Sequence, residues 1–299
     1  MWFRNLQLYR LTDAWQLDAG RLQVKLAMHA FHGCNPGDMQ ARGWVPPRGL
    51  ADELVLASQK QLLICLGVEQ KLLPASVIRQ YAQDRLIALE AGQGFKPGRR
   101  QVQEVRESVT AELLPRAFVK RRLSYAWIDP VGGWLVIDAA SQAKADEVIE
   151  QLKLSLGELP FKLLRTQLSP ATAMTDWLAA GDAPAGFTID RDCELRAPGG
   201  ERATVRYARH TLEAAEIGQH IADGKAATRL ALTWRERISL VLTEDLQVKR
   251  LAFLDILKEE MGRQAENAEE LFEADFILMS GELARLLAQL TDALGGEAE

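Results

Sequence analysis

His29, His32 and Cys34 place three metal-ligand side chains in one short stretch. The two histidines are one helical turn apart with the thiol just beyond, so all three could converge on a divalent ion. No fourth ligand follows at a matching spacing, and polar residues at a helix end explain the trio equally. Asp129 and Asp138 flank a predicted hairpin. Carboxylates paired across strands could hold Mg²⁺ for phosphodiester hydrolysis, the chemistry of a nuclease. Each aspartate also stands where a turn or strand end needs an acceptor. The remaining signatures are absent from the sequence: no G-x-x-x-x-G-K-[ST] loop, no G-x-S-x-G elbow. Gly92-Gln93-Gly94 runs into Phe95-Lys96-Pro97, which cannot open a dinucleotide-binding helix.

Charge is more informative. Residues 1–122 carry 18 Lys+Arg against 11 Asp+Glu, a net of +7, and residues 123–299 carry 18 against 30, a net of −12. The pI near 5.6 conceals this split, whereas attraction to a polyanion follows the local field. The steepest stretch, Lys96 to Arg122, has eight basic and three acidic side chains. It contains Arg99 and Arg100 and ends in Arg116, Phe118, Lys120, Arg121 and Arg122. On a helix passing into a strand these would line one edge, with Phe118 between the cations. Such an edge would contact phosphates with little sequence preference. A solvated charged face is the alternative. A second group, Arg202, Arg206, Arg209 and His210, surrounds a strand end, with Arg202 and Arg206 sharing a face. Glu259, Glu260, Glu266, Glu269, Glu270, Glu273 and Asp275 would repel a polyanion, so the C-terminal part should face away from one.

The elements that must position these groups read as follows. Alternation over Phe3–Leu11 predicts a half-buried strand. Asp18 caps a helix with Leu22, Leu26 and Ala30 on one face, ending by Gly33. Gly43-Trp44-Val45-Pro46-Pro47 predicts an extended turn. Strands follow at Leu54–Leu56 and Leu62–Val68. Helices over 74–91 and Val102–Leu114, separated by Gly92, Gly94, Pro97 and Gly98, form a long arm with an elbow. Tyr125–Asp129 and Trp134–Ala139 form a hairpin, and Ser141 starts a helix that ends at Gly157. A short helix surrounds Trp177. Strand-like segments over Gly186–Arg209 meet a loop at Pro198-Gly199-Gly200. Helix Ala214–Ala222, strands Ala227–Thr233, Ile238–Thr243 and Val248–Phe253, and helix Ala274–Leu294 complete the chain. The fold class is α+β with mixed antiparallel sheets and a long helical arm. The division expected is a central α+β unit (1–73 with 123–170), the arm with its basic patch (74–122), an α+β unit with a projecting basic strand-loop (171–254), and an acidic helical region (255–299). No apolar run reaches the roughly 20 residues that cross a bilayer, the N-terminus lacks a signal-peptide core, and three scattered cysteines suit a reducing compartment. A cytoplasmic location is expected, with no cofactor.

Several blocks in order then resemble the bacterial RdgC family: Trp2-Phe3-Arg4-Asn5-Leu6 with Tyr9-Arg10-Leu11, Gly43-Trp44-Val45-Pro46-Pro47, Leu113-Leu114-Pro115-Arg116-Ala117-Phe118, Trp127-Ile128-Asp129, and Asp275-Phe276-Ile277-Leu278-Met279 with Gly281-Glu282-Leu283. The resemblance spans essentially the whole chain. It implies a nucleoid-associated, non-enzymatic protein that binds duplex DNA without sequence preference. Two horseshoe-shaped subunits would close into a ring dimer with a positive central hole, restraining the RecA recombinase. By position, Phe118 matches an aromatic that supports the subunit contact. Arg209 and His210 fall where the family has Lys then Gln at the end of a finger-like projection thought to close the ring or touch DNA. Arg209 keeps the cation; His210 replaces an amide, so a hydrogen bond from that amide is not carried over.

Overall fold

A computed structural model describes residues 1–12, 15–49, 53–158, 160–199, 203–212, 214–254 and 267–298. Twelve strands join one sheet, in the order β2-β4-β5-β6-β1-β12-β11-β10-β8-β9, with β3 also on β4 and β7 also on β1. They are β1 (Leu6–Leu11), β2 (Gln40–Val45), β3 (Val55–Ser58), β4 (Gln61–Leu72), β5 (Phe118–Asp129), β6 (Trp134–Asp138), β7 (Phe161–Leu163), β8 (Phe187–Arg196), β9 (Thr204–Tyr207), β10 (Ala226–Trp234), β11 (Ile238–Thr243) and β12 (Val248–Phe253). Every pairing is antiparallel. The helices among the described residues are α1 (Ala19–Ala27), α2 (Ala75–Gln93), α3 (Arg99–Leu113), α4 (Gln142–Leu156), α5 (Pro170–Ala180), α6 (Ala214–Ala222) and α7 (Ala268–Ala293), with a 3₁₀ turn at Leu114–Arg116. The α+β class is therefore correct, and the sheet is larger than the separate strand groups suggested.

Two apolar cores lie on opposite faces of this sheet. Alternating strand residues point to opposite faces, so neighbours in sequence divide between the cores. Ile64, Leu66, Ala126, Ile128, Leu135 and Ile137 face Leu22 and Leu26 of α1 and Ala145, Val148 and Leu152 of α4. Leu6, Leu8, Leu63, Trp127 and Val136 point the other way. They join Leu230, Leu232, Leu240 and Leu242 beneath Met174 of α5, Ile217 of α6 and Phe276, Met279, Leu283 and Leu287 of α7. The apolar residues of the last helix are thus core.

Four expectations change. β1 is a central strand with both faces buried from Leu6 to Tyr9, because β6, β7 and β12 all pair with it. Gly43–Val45 is strand, not turn: only the two prolines lack a donor, and Gly43, Trp44 and Val45 pair with Gly67, Leu66 and Cys65. Gly43 also permits a close approach, since a Cβ there would lie 2.7 Å from the Phe31 Cα. That segment seals the sheet edge, with Trp44 N–H donating to the His29 carbonyl and Phe31 N–H to the Trp44 carbonyl. The final helix begins at Ala268, where Asn267 accepts from Glu269 N–H and Glu270 N–H. Finally, α3 starts at Arg99, which places two arginines in its first turn. Asp18 caps α1 as expected, accepting from Arg21 N–H. Ser141 occupies the N-cap of α4, but its hydroxyl makes no cap bond.

Candidate nucleic-acid interface

The basic run at the end of the arm is only partly what its sequence suggests. Residues from Phe118 onward form β5, paired with β4 from Leu72↔Phe118 to Leu62↔Ile128. Strand geometry sends Phe118, Lys120 and Arg122 to one face and Arg121 to the other, so the cations do not share one edge. Arg122 ion-pairs with Glu147 of α4, and Arg42 of β2 pairs with Glu150 on the same helix at 2.9 Å. Arg122 is therefore a structural partner, not a free cation. Lys120 is exposed, as are Arg116 and Arg121, the last with its guanidinium 5.4 Å from the Phe31 ring centroid. Lys71, one strand over, is buried and donates to the carbonyls of Pro36 and Leu114, tying the base of the arm to β4. Arg99 and Arg100 stand at the far end of the arm, both exposed.

Of a second basic surface, the sequence pointed only to Arg206. In the β8–β12 half, the described helices α5, α6 and α7 pack on one face. On the other, Glu194↔Arg206 and Arg229↔Glu194 are cross-strand neighbours, and Arg229 pairs with Thr243. Lys249, opposite Val241, completes the group. None of Arg229, Ala231, Val241 and Lys249 belongs to either core. A pocket here is lined by Arg206, Arg229, Lys249 and Arg250 together with Asp192 and Glu194, and Arg250 pairs with Asp192 at 3.4 Å. Glu194 turns its charge to Arg196 at 3.3 Å, with Glu244 at 3.1 Å on the same guanidinium. Arg206 and Arg229 keep theirs. Burial, and next the Arg229 guanidinium, hold the Lys249 ammonium below its ordinary pKa, and its Nζ donates to the Ala140 carbonyl at 2.7 Å.

Arg209 and His210 fold back against β8 instead of standing at a hairpin tip. Arg209 takes a left-handed φ of 53° and its N–H donates to Asp192 Oδ1. His210 N–H donates to the Arg191 carbonyl. The tip of the β8–β9 hairpin lies around Pro198 and Gly199, and Arg202 falls outside the described residues, as do Glu259, Glu260 and Glu266. Arg209 lines a larger cavity with Arg191 and Arg250.

The metal readings resolve into backbone chemistry. Asp129 Oδ1 accepts from Val131 N–H and Gly132 N–H, closing the β5–β6 turn. Asp138 Oδ1 accepts from Arg4 N–H and Asn5 N–H, and burial pushes its carboxyl up. Asp129 is opposite Trp134, four residues from Asp138, so roughly 13 Å of strand separates the carboxylates. They cannot share an ion. α1 ends at Ala27, before His29, so His29 and His32 do not share a helical face, and the Cys34 thiol donates to the Asp38 carbonyl. Burial raises the Cys65 thiol to about 12 and Cys193 to about 11, which suits inert core residues. Among the described residues no helix is long and apolar enough to cross a membrane.

The basic side chains are spread along the sheet: three inter-strand steps separate β5 from β12, which carries Lys249, and seven separate it from β9, which carries Arg206, about 14 and 34 Å at about 4.8 Å per step. A family model described as "RdgC: Putative exonuclease, RdgC" matches residues 1–297. The chain is similar to proteins named "Recombination-associated protein RdgC". That of Dechloromonas aromatica is 54% identical, over 99% of this chain and 98% of that protein. That of Janthinobacterium sp. is 54% identical over 100% and 99%, and that of Herminiimonas arsenicoxydans 53% identical over 99% of each. With the match running from end to end, the chain belongs to the RdgC family.

Proposed function

We propose that the chain binds duplex DNA without sequence preference, as a homodimer closed around the duplex, and that this occupancy restrains a RecA-type recombinase. The observation that carries the reading is the sheet face bearing Arg206, Arg229 and Lys249, opposite the face on which the described helices pack. Cations set in register on a pleated face, with their nearest acid engaged elsewhere, suit the regular charge of a phosphate backbone. Encirclement is supported by the spread of basic side chains along the sheet from β5 to β9: a second copy could set a matching row on the opposite side of one duplex. The name shared by the relatives supports a role in recombination. A nucleoid-associated protein of this kind needs no cofactor and performs no cleavage, in keeping with both aspartates being engaged by backbone amides.

A titration of random duplex across salt tests this. Affinity is expected to fall roughly a thousandfold between 50 and 200 mM salt if about six phosphates are neutralised. Circular duplex should retain the protein longer than short linear duplex, which a ring can slide off. Affinity indifferent to salt would overturn phosphate neutralisation, and equal retention would overturn encirclement. Adding excess free duplex to a recombinase assay should relieve inhibition; persistence would point to direct contact with the recombinase.

Phe118 is the subunit contact in this reading, supported by its 84% exposure beside its cross-strand neighbour Leu72 at 49%. An aromatic so exposed at a strand end is what an interface centre uses. Phe118→Ala is expected to shift sedimentation to monomer at low concentration while the thermal transition stays within a few degrees. An unchanged dimer would remove Phe118 from the contact.

A further inference from the structure

We propose that the tip of the α2–α3 hairpin is a separate nucleic-acid contact, in which Lys96, Arg99, Arg100 and Arg106 hold phosphates and Phe95 wedges against a base step. The inference rests on the duplex-binding reading and adds to it a site apart from the sheet.

The arm is unusual for what it does not bury. α2 extends about 28 Å at about 1.5 Å per residue, yet across both helices only Ala82 and Val109 are buried. Half-buried Leu86, Leu89, Val102 and Val105 add to the seam, and Arg85 links the helices through Glu112 and Ser108. The tip loop is braced from inside. Gln101 Nε2 donates to Gln93 Oε1, Gly98 N–H donates to Gln101 Oε1, and Gln93 Nε2 donates to the Phe95 carbonyl. Gly94 takes the left-handed φ of 78° that ends α2.

A loop so fixed nevertheless leaves Phe95 62% exposed. Packing supplies no reason for that aromatic, since it covers no core. The cations lack a local reason as well. Arg99 and Arg100 open α3 with no acid in its first turn, so both oppose the helix dipole. Arg100 reaches Glu104 at 2.9 Å, whereas Lys96, Arg99 and Arg106 have no acidic partner among the described residues. Arg99 and Arg106 lie on one helical face, two turns apart, with Val102 and Gln103 between them in a groove that also includes Pro97. Their separation, about 10.5 Å at about 1.5 Å per residue, lets the two long side chains reach different phosphates of one backbone.

An exposed aromatic framed by cations suits DNA more than protein. Apolar wedges of this kind unstack a base step and bend the duplex, while the flanking cations hold the backbone. A protein interface would instead carry its apolar residues together, with charge at the rim.

The test uses the full chain and a random-sequence duplex labelled at both ends for energy transfer. Wild-type protein is expected to bend the duplex. Phe95→Ala should abolish at least half of the bend with less than about threefold loss of affinity. Arg99→Glu with Arg100→Glu should lower affinity about tenfold and make its salt dependence shallower. Far-UV circular dichroism confirms the arm in both variants. If wild type binds with steep salt dependence but neither variant alters bend, affinity or salt slope, the tip proposal is overturned while the broader reading stands. If wild type does not bind duplex at all, the broader reading fails. Should Phe95→Ala instead change sedimentation of the DNA-free protein, the tip is a subunit contact and the proposal is overturned.

Discussion

Reversing both Arg229 and Lys249 to glutamate is expected to weaken binding to random duplex by at least about a hundredfold at low salt. The two side chains stand on the sheet face opposite the described helices, close enough for one to depress the ionisation of the other. Losing two phosphate contacts should also lower the slope of log affinity against log salt by about 1.8. Repulsion of the new carboxylates from the backbone adds to the loss. Arg229 is exposed and Lys249 half-buried, so the thermal transition should move little. The pH dependence gives an independent check. Burial and the Arg229 guanidinium hold the Lys249 ammonium below its ordinary pKa in the free protein, and a phosphate beside it would raise that pKa. The complex then holds more protons than the free protein in the alkaline range between the lowered and the raised pKa, so affinity falls as pH rises through that range. Lys249→Met should remove this slope. Wild-type affinity and salt dependence in the double variant would take this face out of the site.

Trp127→Ala is expected to cost about 3–5 kcal/mol of folding stability, the range for deleting a buried aromatic. Trp127 is fully buried in β5, where its indole N–H donates to Gln61 Oε1 at 2.7 Å. Its removal opens a void within the larger core and strands the amide oxygen. Urea unfolding should show a lower midpoint at unchanged slope. Trp127→Phe keeps most of the volume and should cost clearly less. A change under about 1 kcal/mol for alanine would mean that the core collapses around the gap.

Particular elements show why some of this was legible in the residues and some was not. α6 and the β10–β12 meander were read closely, because apolar alternation, Gly224 and short polar turns all agree there. β5 was read too short. Lys120, Arg121 and Arg122 have no apolar alternation and looked like the end of an arm. Pairing with the hydrophobic β4 extends the strand over them, a tertiary demand stronger than local pattern. The same pairing separates Lys120 from Arg121, and α4 supplies the acid that neutralises Arg122. The face with Arg206, Arg229 and Lys249 was hidden for a different reason. Its members come from three strands in a mainly acidic part of the chain, and only register joins them. Beyond Arg206, the one signal was Arg229 within Thr228-Arg229-Leu230-Ala231-Leu232, a lone cation on the outward side of an otherwise apolar strand.

Gly43 has a consequence for solubility. The backbone around His29 to Phe31 fits against β2 because nothing projects from that glycine. A single methyl group would push the covering segment away and leave main-chain donors and acceptors beside Trp44 without partners. Such a rim recruits strands from other molecules, so a residue distant from every cation helps keep the sheet from growing into aggregates.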